Sequence, residues 1–192
     1  GEKWPTQFRF LGYEVRPDLP IYVAALSPNM LRLAGEIADG VLLWLCDPAY
    51  VRDVVLPEVR KGREKAGRGL EGFDVVPAVP VAVTGDRAAT LERMRGDLVA
   101  YLSLPFYRSM LERSGFAAEI AGFDEGIAAG DVERAKAAMS EPMLDSLGGF
   151  GTDEDVRDAV RRYRDAGATS PGVSPVPSAD FAATLAAAAE LI

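Results

Sequence analysis

Short apolar runs alternate with amphipathic stretches along most of this chain. Residues 20–26 (PIYVAAL) form a strand-sized apolar run, β-branched at its start, which predicts a buried strand. Ser27-Pro28 follows, an N-cap with proline in the first helical turn, where its missing N–H costs nothing. Met30, Leu33, Ala34 and Ile37 then recur at helical spacing, with Arg32 and Glu36 on the other face, and Asp39-Gly40 offers a stop. Residues 41–45 are a second apolar run. Strand, helix of about ten residues and strand make a βαβ unit, so adjacent parallel strands are expected.

The unit repeats. Asp47-Pro48 caps a helix running to about Lys65, which Pro57 should kink or divide at a boundary. Residues 74–84 (DVVPAVPVAVT) read as a third strand, irregular or edge-like because of its two prolines. Asp86 caps a helix with Leu91, Met94, Leu98, Tyr101 and Leu102 on one face. Residues 103–150 break into short helical pieces between Pro105 and Gly148-Gly149, which predicts a helical insertion whose Phe106 and Tyr107 pack in its own core. Thr152 caps a helix with Val156, Val160 and Tyr163 inward, ended by Gly167. Residues 169–176 make a short last strand, and Ser178 caps a final helix with Phe181, Leu185 and Ala188 apolar. In residues 1–19, Phe8, Phe10 and Leu11 suggest a short strand within an N-terminal loop or hairpin.

Four strands, each followed by a helix, give an α/β layer with right-handed crossovers. Four units are half of a (β/α)8 barrel, which needs roughly 250 residues; this chain has 192. The expected fold is therefore one half-barrel domain over 1–192, carrying the insertion before its last strand. A flavodoxin-like open sheet is the competing architecture, but it would not explain the insertion.

Composition narrows the chemistry. A formal net charge of -8 disfavours a nucleic-acid surface, which needs clustered Lys and Arg. There is no histidine, so Ser-His-Asp, Cys-His and His-zinc chemistry are excluded within the chain, and no metal site is expected. Cys46 is the single cysteine and reads as a small buried hydrophobe. No apolar run approaches the roughly 20 residues of a membrane helix, so no membrane association and a cytoplasmic location are expected.

The segment IYVAALSPNMLRLAGEIADGVLLWL carries a family resemblance through Ala24, Ala25, Leu26, Ser27 and Pro28, then Ala34, Gly35, Ala38, Asp39 and Gly40. It is similar to the F420-dependent, methylenetetrahydromethanopterin reductase-like branch of the luciferase-like monooxygenase superfamily. The likeness continues through residues 74–84, LSLPFYRSMLERSGF, FGTDEDVRDAVRRYRDAGAT and the final SPV. The resemblance implies the C-terminal half of a (β/α)8 barrel. It implies an oxidoreductase that moves hydride between reduced F420 and a small organic substrate, with FMN as the alternative cofactor. It places the cofactor's phosphate between two loops: Ala25, Leu26, Ser27 and Asn29 in the first, Trp44, Leu45 and Cys46 in the second. Amides at the start of the first helix, such as those of Asn29 and Met30, suit an anion. Asp47 fits only if its carboxylate turns away to cap its own helix. No catalytic residue is implied, because in the family the N-terminal half carries much of the ring pocket and most substrate contacts. Two open sheet edges and an apolar face also predict a homo-oligomer, and a non-catalytic assembly module is the second functional reading.

Overall fold

The computed structural model describes residues 16–177 and 179–190, together with Lys3, Gln7 and Gly12. The expected strand at Phe8, Phe10 and Leu11, and Ser178, lie outside the described residues. One parallel sheet of five strands organises the molecule: β1 (Tyr22–Ala24), β2 (Gly40–Trp44), β3 (Asp74–Val83), β4 (Gly149–Gly151) and β5 (Gly172–Pro175). β1 pairs with β2 and β2 with β3; β3 also takes β4 and β5. Helices α1 (Pro28–Ile37) and α3 (Leu56–Lys65) follow β1 and β2. Helix α4 (Arg87–Leu102) follows β3, and α9 (Asp153–Asp165) and α10 (Phe181–Ala189) follow β4 and β5. The insertion between α4 and β4 consists of α5 (Pro105–Arg113), α6 (Ala117–Ala128), α7 (Val132–Ala137) and α8 (Glu141–Leu147).

The sequence reading needs five corrections. The sheet has five strands, not four: β4 sits inside the stretch read as insertion. β3 is the hub of the sheet, not an edge. Its prolines are tolerated because each falls where a ladder bond is not needed. Pro77 precedes the β5 pairing, which starts at Ala78, and Pro80 lies between the β2 pairing, ending at Ala78, and the β4 pairing, starting at Val81. Helix α1 buries Leu31, Ala34 and Gly35, while Met30, Leu33 and Ile37 are exposed. The buried side is the one that meets α3 closely. A Cβ on Gly35 would stand 2.3 Å from the Val59 carbonyl oxygen, and one on Gly62 2.0 Å from that of Arg32. Asp180 caps α10 by accepting from the Ala183 amide at 3.0 Å; Phe181 and Leu185 face outward and Thr184, Ala187 and Ala188 are buried. Gly40 is not the helix stop: α1 ends at Ile37 with Ala38 as its cap, and Gly40 opens β2 beneath the Tyr22 ring.

Pro57 acts as expected on its helix. Helix α2 (Pro48–Tyr50) passes into a π-helical turn over Val51–Val55 before α3, with the Leu56 amide donating to the Val51 carbonyl. The wider turn absorbs the donor that proline lacks. The core runs from Leu31 and Leu43 through Val79 and Val81 to Leu98, Phe123 and Tyr163, joining sheet, helices and insertion in one cluster.

Candidate functional site

β1 and β2 are parallel, with Ala24 paired to Leu42, so both strands deliver their C-terminal ends to the same edge of the sheet. The chain leaves β1 through Ala25 and Leu26 and enters α1 at Ser27, whose Oγ accepts from the Met30 amide at 3.5 Å. Leu31 donates to the Ser27 carbonyl at 2.9 Å, and among the described residues the Asn29 amide has no protein acceptor. This is the donor arrangement that a helix N-terminus offers an anion.

β2 ends at Trp44. Leu45 follows with φ 53, the one positive φ outside glycine among the described residues. A leucine held in the left-handed region stores backbone strain, which the surroundings must over-determine. Here Leu45 is 2 % exposed, and its side chain is locked in the core. Cys46 is also buried. Burial, and then the neighbouring Asp47 carboxylate, push its thiol pKa well up, so it is a core residue and not a nucleophile.

Asp47 turns away from the first loop. Its Oδ1 accepts from the Tyr50 amide at 3.0 Å, capping α2, and from the Ser114 hydroxyl at 2.7 Å. The second bond ties the end of insertion helix α5 to the second loop. Tyr50 completes the tie by donating its hydroxyl to the Leu26 carbonyl at 2.9 Å. One buried carboxylate and one buried phenol thus fix first loop, second loop and insertion to one another.

The insertion closes one side of the corner. Phe106 and Tyr107 do not sink into the insertion's own core: Phe106 is 50 % exposed and Tyr107 half-buried. Phe106 borders two clefts. One, of about 330 Å³, is lined by Ala25, Leu26, Ser27, Trp44, Phe106 and Tyr107. The other, of about 240 Å³, is lined by Leu26, Ser27, Tyr50, Ser109 and Arg113. A third, of about 130 Å³, lies where Trp44 and Leu45 meet Pro80, Tyr101 and Ser174. Trp44 packs edge-on against Tyr101 (centroids 5.8 Å apart), Tyr101 against Tyr107 (5.3 Å), and Tyr107 against Phe106 (4.7 Å).

Of the residues singled out from sequence, Ala25, Leu26, Ser27 and Trp44 surround one cleft. Asn29 is exposed on the first turn and lines neither of the clefts that Phe106 borders. Leu45 is buried beside the smallest cleft and Cys46 is in the core. Sequence reasoning missed Tyr50, Ser109, Ser114 and Arg113. Their only signal was their presence in helices flanking the two loops. A further cavity, about 560 Å³, lies at Arg87, Asp145 and α9. Its cations are satisfied within the chain: Arg87 grips both Asp145 oxygens at 2.9 and 2.8 Å, and Arg162 donates to the Asp145 and Gly148 carbonyls.

The luciferase-like monooxygenase family model matches residues 2–170. The 5,10-methylenetetrahydromethanopterin reductase of Methanopyrus kandleri is 32 % identical over 153 residues, covering 79 % of this chain and 43 % of that protein. The F420-dependent glucose-6-phosphate dehydrogenase of Nakamurella multipartita is 38 % identical over 96 residues, 50 % of this chain and 28 % of that protein. The solved coenzyme F420-dependent tetrahydromethanopterin reductase from Methanopyrus kandleri superposes with a TM-score of 0.70 at 28 % identity, over 89 % of this chain and 48 % of that one. The chain therefore spans about half the length of the relatives it matches. By sequence, and by the open parallel sheet with its two loops on one edge, this chain belongs to the luciferase-like monooxygenase family.

Proposed function

We propose that this chain is the phosphate-holding half of an F420-dependent oxidoreductase, with the corner between the ends of β1 and β2 as its cofactor site. The observation that carries the reading is the corner itself: a ten-residue helix whose Asn29 amide, among the described residues, has no protein acceptor, beside a loop whose one carboxylate caps its own helix. Matched relatives are F420-dependent by name, which supports this cofactor over FMN.

The residues fit such a group. Among the described residues the Asn29 amide in the first turn of α1 has no protein acceptor, and Ser27 supplies a hydroxyl, so an anion there meets these donors and the positive end of a helix dipole. Asp47, whose Oδ1 accepts from Tyr50 and Ser114, lines neither of the clefts that Phe106 borders. Bound F420 supplies hydride chemistry, and the protein's part is binding and orientation. In that division of labour Ala25, Leu26 and Ser27 form the floor of the site and Trp44 its wall, while buried Leu45 and Cys46 hold the wall in place. A small organic substrate completes the reaction. Equilibrium dialysis against F420 and against FMN tests the reading: F420 retained more strongly than FMN supports it, and retention of neither overturns it.

Exposed apolar residues favour a second reading at the level of assembly. Ile21, Leu33 and Ile37 lie along the β1 edge and the outer face of α1, at 63 %, 40 % and 63 % exposure. Surfaces of this kind drive association. A homo-oligomer is compatible with the cofactor reading, and it would be the chain's whole role if no cofactor binds.

A further inference from the structure

Among the described residues, the Trp44 indole Nε1 is the one buried side-chain nitrogen or oxygen with no hydrogen-bond partner. Buried polar groups are almost always paired, because an unmade hydrogen bond forfeits the desolvation already incurred. An orphan therefore asks for an acceptor. Trp44 lies at the C-terminal end of β2, two residues from Leu42 on the same face of the sheet, and Leu42 is 45 % exposed. Trp44 borders both the 330 Å³ cleft and the 130 Å³ cleft, and a turn of its side chain would be needed to present the buried N–H to an acceptor in either.

The two clefts that meet at Phe106 differ in chemistry. The one holding Trp44 has no charged side chain and is walled by Leu42, Met30, Phe106 and Tyr107. The one beside it carries Arg113, Ser109 and the Ser27 turn. The first suits a flat apolar ring with few polar atoms; the second suits an anion. We propose that Trp44 is the specificity-determining residue of the ring end of the site, its indole N–H donating to a carbonyl on the deazaflavin ring. The phosphate then lies at the start of α1, and Trp44 takes no part in holding it. This assignment rests on the cofactor reading above and divides its site into a ring subsite and an anion subsite.

Two features of the chain support the division. Leu45, at φ 53 immediately after Trp44 and buried in the core, anchors the backbone at the end of β2. The ladder from Trp44 through Tyr101 and Tyr107 to Phe106 then extends one aromatic wall from the sheet to the insertion. Such a wall offers edge and face contacts to a planar ligand. The rival partner is the Tyr101 ring, whose face could receive the N–H as a weak contact.

The test follows the indole N–H signals and the backbone amides of the uniformly 15N-labelled chain. The sequence has two tryptophans, so Trp4 gives a reference signal and Trp44→Phe assigns the other. The probes are inorganic phosphate and the ribityl deazaflavin chromophore without its phosphate tail. The expected result is a shift of the Trp44 signal with the chromophore and none with phosphate, while the Ser27 and Asn29 amides move with phosphate. Trp44→Phe should weaken the chromophore about tenfold and leave phosphate affinity unchanged, the loss expected for one hydrogen bond. A chromophore that binds with the Trp44 signal unmoved, or a Trp44 signal that follows phosphate, overturns the ring assignment alone. No response to either probe overturns the cofactor reading and the assignment with it.

Discussion

At the scale of single residues, the corner depends on Asp47. Its carboxylate is 4 % exposed and accepts from one amide and one hydroxyl. Asp47→Ala removes a helix cap and the Ser114 bond, leaving that hydroxyl the Met110 carbonyl alone, so a loss of about 1–2 kcal/mol is expected in urea unfolding. Ser114→Ala should cost less, because the cap survives; equal losses would show that the cap contributes nothing. Cys46 gives a second expectation. With its thiol pKa pushed up by burial, it should resist thiol reagents at neutral pH in the native chain and react once unfolded. Fast native labelling would contradict the buried placement. The sequence made the first loop legible because Ser27-Pro28 is a local signal. It hid Tyr50 and Ser114, because contacts across 24 and 67 positions leave no local pattern.

At the scale of elements, Gly62 sets two effects against each other. Alanine is the better helix former by about 1 kcal/mol. A Cβ there would stand 2.0 Å from the Arg32 carbonyl oxygen, so α1 and α3 must part. Overpacking of that kind costs about 1–3 kcal/mol, and Gly62→Ala should therefore destabilise on balance. A more stable variant would show that the helices part freely. The start of β3 is held by Asp74, which accepts from the Tyr22, Thr169 and Ser170 hydroxyls. Those bonds, the Tyr22 one foremost, hold its carboxyl below the usual carboxylate range. Its contribution is thus complete above its unfolded pKa of about 3.9 and is lost as pH falls through the lower folded value. In acid unfolding, Asp74→Asn should flatten this part of the pH dependence; an unchanged profile would contradict the role. Helix starts at Asp47, Asp86 and Thr152 were legible because caps are local. β4 was not: Gly149-Phe150-Gly151 has no strand period, and it forms a strand only because β3 offers it an edge.

At the scale of the whole molecule, periodicity led to half of a barrel, and the match to about half of the Methanopyrus kandleri reductase agrees. Periodicity misassigned the apolar stripes of α1 and α10, because a helix with two apolar sides does not reveal which one the sheet will take. Met30, Leu33 and Ile37 on α1, and Phe181 and Leu185 on α10, remain outward. We expect concentration-dependent association in light scattering, abolished by Leu33→Glu with Ile37→Glu; a wild-type chain that stays monomeric throughout would contradict it. The central claim concerns the corner between β1 and β2. A crystal structure of the chain grown with F420 tests it most directly. The account predicts phosphate density at the Ser27–Met30 turn, with Asp47 still bonded to Ser114. Phosphate density anywhere else on the molecule, or crystals that take up no F420, would contradict it.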